Sequence, residues 1–436
     1  MQRLYRTLLS WTKSVVRSVA FLPVPMMFFG LLVGILLYYL ELNTDVSARF
    51  AEWLPAVMVS SQETARSILG LFVGGLITLV VFTFTQMMSL FNQVANSYIP
   101  RLLPLFTGDR SLQLTMGFYL ATIIVTLIVL LSIRSDDGGY VPNLSVLFCI
   151  VCGVISLCMF MYFVTTISDK IKVSSIIESV YLRGVEMLNR EQKKKNFHRQ
   201  ALPPNLDDWY AIPSPIDGFI GTVNYPHLSI LASKYGTRFY LGTELGTYVP
   251  RNYPLLQSEQ KLNAGQIGKV MDAVSPVSHA YDDWYLPQIN LLVEIALKAL
   301  SPGINDPATA INVIDRLTGL LARLLSSPFY NFYQAEGGGE VWVVRQQFEA
   351  IFAGVMGQLR RYGREDPAVC RRLIRMLYHL YGECGNRVSP RRCVRDEIMA
   401  LIDDCRRYLV NPADRRAIAG EIYASRRLIR RLRENT

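Results

Sequence analysis

The sequence predicts an α+β integral membrane protein with four transmembrane helices, a small cytoplasmic β-barrel or β-sandwich module and a C-terminal helical domain. Three observations lead to this fold class. The first 170 residues contain four apolar stretches, each of about the 20 residues that a membrane-spanning helix needs. Short β-prone runs interrupted by Gly, Pro and Asn come next. Segments with helical periodicity then continue to the end of the chain.

These patterns divide the chain into consecutive regions. The predicted regions are a cytoplasmic segment (1–20), the transmembrane domain (21–170), a helical linker (171–205), the β module (206–260), a helical domain (261–328) and an Arg-rich helical bundle (340–436). The predicted spans are 21–40, 68–90, 115–133 and 144–167. The first apolar stretch is longer than the roughly 7–15 apolar residues of a signal peptide, so we expect it to be retained.

Positive charge predicts the orientation of the spans. The first 20 residues carry four basic residues, and the run Lys193, Lys194 and Lys195 follows the fourth span, whereas the loop 41–66 mixes both signs. Because Lys and Arg are enriched in cytoplasmic segments, we expect both termini and the polar part of the chain in the cytoplasm.

The second span carries a polar stripe. On a helical wheel with 100° per residue, several small or polar residues lie within about 40° of Thr78. The stripe consists of Ser67, Gly74, Thr78, Thr85, Ser89, Asn92 and Asn96. Lipid cannot satisfy polar groups, so the stripe either packs closely against a helix, within one bundle or between protomers, or lines a water-filled path in an oligomer.

The β module and the turn after the next helix have recognisable sequence features. Asp217-Gly218-Phe219-Ile220 and Gly246-Thr247-Tyr248-Val249 resemble the barrel-sandwich module of lipoyl and biotinyl carriers, but Lys234 does not match the position of the carrier lysine. We therefore expect a structural adaptor. In the string SPGINDP, Asp306 is expected to cap a helix whose first turn contains Pro307. Free N–H groups at that helix start could also hold an anion.

The SPGINDP string also carries a family resemblance. The chain resembles a bacterial family of predicted membrane proteins, domain of unknown function 2254, through ALKALSPGINDPATAI, through YIPRLL after the second span and through IDGFI in the β module. The signature turn comprises Ser301, Pro302, Gly303, Asn305, Asp306 and Pro307. The resemblance implies a multi-pass protein of the bacterial inner membrane and implies no particular activity.

No residue pattern predicts catalysis, a cofactor or a metal ion. The nearest cluster is His279 with Asp282 and Asp283, for which a solvated loop is the simpler interpretation. Residues 340–436 contain 20 Arg, no Lys and 12 acidic residues. This region is either a salt-bridged helical surface or a surface for anionic lipid headgroups, and it contains no nucleic-acid-binding motif.

Two functions agree with this organisation. The first is a homo-oligomeric channel or conduction path that the second span lines, with the cytoplasmic part as an assembly domain. Its outline is similar to that of small-conductance mechanosensitive channels, at the level of architecture alone. The second is a non-conducting, membrane-anchored scaffold or regulator that binds a cytoplasmic partner.

Overall fold

The computed structural model describes residues 20–43, 59, 61–97, 109–133, 141–170, 172–215, 217–277 and 284–434. The chain divides into two compact units, Met1–Ser175 and Ile176–Thr436.

The first unit contains four helices that are long and apolar enough to cross a membrane, which confirms the four predicted spans. They are α1 (Pro23–Asn43), α2 (Gln62–Ser97), α3 (Arg110–Ser132) and α4 (Asn143–Lys170). Helix α3 begins earlier than predicted because Asp109 caps it, accepting hydrogen bonds from the N–H groups of Ser111 and Leu112. Helix α2 has 36 residues and is therefore about 54 Å long.

Glycines bring α1 and α3 into close contact. A Cβ atom added to Gly30 would lie 2.7 Å from the carbonyl oxygen of Ala121, and one added to Gly34 would lie 2.6 Å from Cδ1 of Ile128. On α3, a Cβ atom at Gly117 would lie 2.6 Å from Sδ of Met26. These contacts are those of small residues that let two membrane helices approach closely.

The second unit begins with a helix and then alternates strands with short helices. Its elements up to residue 277 are α5 (Val173–Gln192, which starts just before the boundary), β1 (Phe197–His198), β2 (Tyr210–Pro213), β3 (Gly218–Val223), α6 (Tyr225–Tyr235), β4 (Phe239–Leu241), β5 (Tyr248–Val249), β6 (Pro254–Ser258), α7 (Ala264–Ala273) and β7 (Val274–Val277).

Helices dominate the rest of the second unit. The remaining elements are α8 (Tyr285–Ala299), α9 (Pro307–Ser326), β8 (Phe332–Gln334), β9 (Glu340–Val343), α10 (Phe348–Gly363), α11 (Pro367–Glu383), α12 (Val388–Tyr408) and α13 (Pro412–Glu434).

The strands form two open sheets, so the predicted barrel or sandwich is not confirmed. In the described residues, the six-stranded sheet has the order β1-β8-β9-β4-β6-β2, and the three-stranded sheet has the order β5-β3-β7. Only β4 and β9 pair in parallel within the six-stranded sheet. Because β8 and β9 come from residues 332–343, the sheet is completed by chain far outside the 206–260 segment.

Two local expectations were wrong. In the predicted β module, the run LSILASKYGTRFYL is β-prone in composition and predicts a strand. Its first part, LSILASKY, lies instead in α6, which Asn224 caps by accepting a hydrogen bond from His227 N–H and which Gly236 ends in the left-handed conformation. Three consecutive glycines, at 337–339, predict a flexible connection. They instead form a hairpin turn against α6, where Ser229 donates to the Gly339 carbonyl at 2.6 Å and its own carbonyl accepts from Gly339 N–H.

Many arginines of the C-terminal helices form ion pairs. Arg360 of α10 contacts both Glu397 and Asp404 of α12, at 2.7 and 2.5 Å. Arg375 of α11 forms a bidentate ion pair with Glu421 of α13. Part of the Arg-rich surface is therefore salt-bridged between helices.

Adding a methyl group at Gly30 is expected to destabilise the first unit by about 1–3 kcal/mol, because it would overlap the α3 backbone. Gly70→Ala is the matched control, since nothing lies within 4 Å of a Cβ atom there. We expect the control to be neutral or slightly stabilising, because Gly costs a helix about 1 kcal/mol. Unfolding in detergent followed by circular dichroism measures both variants. Equal stability of Gly30→Ala and Gly70→Ala would contradict the close packing.

Candidate functional site

The polar stripe of α2 faces away from the other spans of its own unit. Ser67, Gly74, Thr78, Thr85, Ser89 and Asn92 are all exposed, and the side chain of Asn96 lies outside the described residues. The buried residues of α2 include Leu69, Leu76, Met87 and Leu90. These lie about 120–180° around the helix from Thr78. The stripe therefore does not pack against the other described helices of the bundle.

The exposed face also contains residues that do not belong to the predicted stripe. Leu71 is 79% exposed and Phe82 is 44% exposed, and both lie within about 40° of Thr78 on the wheel. Gln86 is exposed about 80° from Thr78. Its amide has no hydrogen-bond partner among the residues that the structure describes. The face is therefore mixed, with two large apolar side chains interrupting a polar row.

The threonines of the stripe bond to their own helix. Thr78 donates to the Gly74 carbonyl at 2.9 Å, and Thr85 donates to the Val81 carbonyl at 2.8 Å. Nothing lies within 4 Å of a Cβ atom at Gly74 or Gly75, so the surface beside these threonines is open. These hydroxyl donors are satisfied without water, whereas the Gln86 amide is not.

Other polar side chains are buried inside the bundle, and no sequence pattern predicted their burial. Thr115, Thr122 and Thr126 lie on one face of α3, and each donates to a carbonyl one turn earlier in the same helix. Thr83 of α2 and Tyr119 of α3 are fully buried, and neither hydroxyl has a hydrogen-bond partner among the residues that the structure describes. The i, i+4, i+7 spacing of Thr115, Tyr119 and Thr122 could have revealed this face.

The SPGINDP string forms a tight turn between α8 and α9. Asp306 accepts a hydrogen bond from Thr309 N–H at 3.1 Å, and its own N–H donates to the Ala299 carbonyl at 2.8 Å. Hydrogen bonds from Thr309 lower the pKa of Asp306 below 3.8. Asn305 adopts a left-handed backbone conformation with φ of 47°, while Ser301, Pro302, Gly303 and Pro307 complete the turn. The motif thus has a structural role, and Pro307 lies in the first turn of α9 as expected.

A cavity of about 570 Å³ lies within the second unit, and no sequence motif predicted it. The end of α5, the start of α8, the end of α9, and the starts of α10 and α12 contribute to its wall. The charged and polar lining includes Glu191, Arg199, Tyr285, Arg345, Glu349 and Arg387, and the apolar lining includes Leu188, Leu324 and Phe348. This volume is typical of a small-molecule site.

A buried ion pair forms one side of the cavity. Arg345 contacts Glu191 at 2.7 Å, and their side chains are 12% and 15% exposed. Arg345 also lies over the ring of Phe197, 5.1 Å from its centroid. Burial opposes ionisation of Glu191, but the charges of Arg345 and Lys194 outweigh it and hold the pKa of this carboxyl below 4.5. The pair is charged at neutral pH.

Three helices begin at the cavity without a side-chain cap, and α8, with Trp284 at its N-cap position, is the first of them. Helix α10 has Gln347 and helix α12 has Arg387 at the N-cap position, and neither side chain accepts a hydrogen bond there. In the sequence, Asp366-Pro367, Ser389-Pro390 and Asn411-Pro412 each have the pattern of an N-cap followed by Pro and each predict a helix start. The prediction for Ser389-Pro390 was wrong, because α12 begins at Val388 and both residues lie inside its first turn. By contrast, Asp366 caps α11, and Asn411 accepts from Ala413 N–H at the start of α13.

No group of three potential metal ligands occurs in the described part of the chain. The cluster of His279, Asp282 and Asp283 lies outside the described residues, as do Ile216 and the YIPRLL motif. The cavity residues come from six separate places in the chain. Their spacing in the sequence carries no pattern that predicts a cavity. The poor capping residues Gln347 and Arg387 are a signal in the sequence that helix starts were left uncapped there.

Four membrane-type helices followed by a mixed α/β unit define a multi-pass membrane protein. The family described as predicted membrane protein, domain of unknown function 2254, matches residues 16–379, and the chain belongs to this family, as the SPGINDP string indicated. Uncharacterized proteins of Mycobacterium tuberculosis and Mycobacterium bovis are each 24% identical over 370 residues, which cover 82% of this chain and 71% of the relative. No solved structure matches the chain.

Removal of the Glu191 carboxylate is expected to destabilise the second unit by about 3–5 kcal/mol, because Arg345 would be buried without its partner. Chemical unfolding of Glu191→Gln at pH 7 measures this. Glu186→Gln is the control, since its pair with Arg190 is 59–65% exposed and is expected to contribute about 0–1 kcal/mol. Because the pKa of Glu191 is lowered from 4.5, the wild type keeps the contribution above that pH and loses it as the pH falls further. Equal losses in the two variants would contradict the burial of the pair.

Asp306→Ala is expected to cost about 0.5–2 kcal/mol of stability through loss of the N-cap. The lowered pKa means that this contribution is present above pH 3.8 and disappears as the pH falls through the folded-state value. Thermal unfolding at neutral and acidic pH measures the difference from wild type. Asp306→Asn, which keeps a capping oxygen, is the control and should retain most of the stability. An Asp306→Ala variant as stable as wild type at neutral pH would show that the cap is dispensable.

Proposed function

We propose that the protein is a homo-oligomer of the bacterial inner membrane in which the exposed faces of α2 surround a conduction path. The observation that carries this proposal is the position of the polar stripe on the surface of its own bundle, opposite the buried residues Leu69, Leu76 and Met87. Hydrocarbon offers no partner to an exposed amide such as that of Gln86. Neighbouring protomers or a water-filled path would provide one.

The proposed path is only partly polar. The stripe carries no charged residue over the apolar span, so the membrane part of the path has no strong charge selectivity. Leu71 and Phe82 would form apolar constrictions between polar rings, and such constrictions gate by excluding water. In this arrangement both termini and the second unit lie in the cytoplasm, where the second unit serves as the assembly domain. We propose no enzymatic activity.

The alternative is a non-conducting, membrane-anchored scaffold or regulator that binds a cytoplasmic partner. Its specific support is that Thr78 and Thr85 donate to carbonyls of their own helix. Such threonines can face lipid without water. In both arrangements, exposed arginines of the C-terminal helices that have no acidic partner would contact anionic lipid headgroups, each contributing about 1 kcal/mol near the surface.

Charge substitution in the stripe separates a conduction path from a packed interface. We expect Thr85→Asp to raise the permeability for cations over anions in planar bilayers, because a ring of carboxylates would then line the path. Leu157→Asp is the control, since Leu157 is 53% exposed on the apolar surface of α4. It should leave the selectivity unchanged wherever the variant inserts.

The thiol accessibility of Cys variants and the mass of the solubilised protein complete the test of the conduction path. With the seven native cysteines replaced, Thr78→Cys and Thr85→Cys should react with a water-soluble thiol reagent, and Leu157→Cys should not. The detergent-solubilised protein should have the mass of an oligomer. A monomeric mass together with an electrically silent bilayer would eliminate the conduction path and leave the scaffold.

A further inference from the structure

The cavity of the second unit has the properties of a site for an anionic small molecule. Its volume of about 570 Å³ accommodates a ligand of ordinary metabolite size. Leucine and aromatic side chains cover part of its wall, so an apolar portion of a ligand would be desolvated there. The remaining wall carries three arginines, Arg199, Arg345 and Arg387, and two glutamates.

Positive charge is in excess at this wall. Arg345 is neutralised by Glu191, which also contacts Lys194. Arg387 donates to the backbone carbonyls of Leu325, Glu383 and Cys384, and no carboxylate neutralises it among the described residues. Arg199 is exposed and has no ion-pair partner in the described part of the chain. Glu349 is the opposing charge, and it lies in the first turn of α10.

The uncapped starts of α10 and α12 add hydrogen-bond donors. The first N–H groups of a helix have no partner within the helix, and no side chain caps either of these two starts. Two such starts on one cavity present N–H groups and two positive helix-dipole ends. Helices α10 and α12 have 16 and 21 residues, so both dipoles are developed.

Tyr285 provides an independent indication of a ligand. The residue is only 6% exposed, and it lines the cavity at the start of α8. Its hydroxyl has no hydrogen-bond partner among the described residues. Burial raises the pKa of this hydroxyl above its ordinary value, so it remains a donor at neutral pH. Because Tyr285 lines the cavity, its hydroxyl can donate a hydrogen bond to an acceptor that enters.

We infer that this cavity binds a soluble phosphomonoester with an apolar or aromatic portion, whose phosphate accepts hydrogen bonds from Tyr285, Arg199 and the N–H groups of the two helix starts. The apolar portion would lie against the leucine and aromatic wall. Phosphate satisfies this set because it offers several acceptor oxygens and two negative charges. The inference is independent of the proposed conduction path, since it depends only on residues of the second unit.

Titration calorimetry with phenyl phosphate tests the inference on the full-length protein in nanodiscs of neutral phosphatidylcholine. We expect saturable binding of one phenyl phosphate per chain, weaker binding of inorganic phosphate and no saturable binding of phenol. Absence of saturable phenyl phosphate binding would overturn the inference. Equal affinity for phenol would do so too, because the phosphate would then make no contact.

Two conservative variants locate the binding. Tyr285→Phe removes only an unpartnered hydroxyl, and Arg199→Gln removes an unpaired charge, so neither should disturb the fold. Each should weaken phenyl phosphate binding by about tenfold, as expected for one hydrogen bond to a charged group. Arg361→Gln, an exposed arginine outside the cavity, is the matched control and should bind like wild type. Wild-type affinity in both cavity variants would place the phosphate elsewhere and overturn the inference.

A lipid headgroup could supply the same phosphate chemistry, so a second nanodisc composition separates the two sources. We expect unchanged phenyl phosphate affinity when phosphatidic acid replaces part of the phosphatidylcholine. Competition by phosphatidic acid that is lost in Tyr285→Phe would identify a lipid phosphate as the occupant and overturn the assignment to a soluble ligand.

Discussion

A polar group that leaves water must find another partner, and this constraint organises both units. In the hydrocarbon layer the partner has to come from protein. The buried threonines of α3 find their partners within their own helix, because each hydroxyl donates to a carbonyl one turn earlier. At the end of the bundle the partner comes from another helix, since Glu41 accepts two hydrogen bonds from Ser145 at the start of α4. Polar groups that find no partner among the described residues are therefore informative.

Three sets of polar groups in the described residues differ in what their position implies. The exposed stripe of α2, together with the Gln86 amide, lies where a second protein chain or water could reach it. The hydroxyls of Thr83 and Tyr119 are fully buried and therefore belong to the interior of the first unit. In the second unit, Tyr285 and the uncapped starts of α10 and α12 collect at one cavity. Donors that line one cavity indicate a ligand more directly than donors scattered over a surface.

The β region shows why local patterns fail for the sheets. The six-stranded sheet pairs β4 with β9 in parallel, although about a hundred residues separate these strands in the chain. Short strands of two to six residues have almost no pairing preference of their own, because their stability comes from neighbours on the sheet. Helix α6 was missed although its signals, the Asn224 cap and the final Gly236, were present. The β-prone runs on both sides led to a strand prediction for this segment.

By itself the sequence determined the four spans, the starts of α9, α11 and α13, and the family. A run of about 20 apolar residues has one stable solution in a bilayer, and an Asp-Pro or Asn-Pro helix start is a local hydrogen-bonding arrangement. Only the tertiary structure decided which face of α2 is buried, how the sheets are paired and that a cavity joins the ends of five helices. These properties depend on contacts between residues far apart in the chain, and such contacts produce no periodic pattern in the sequence.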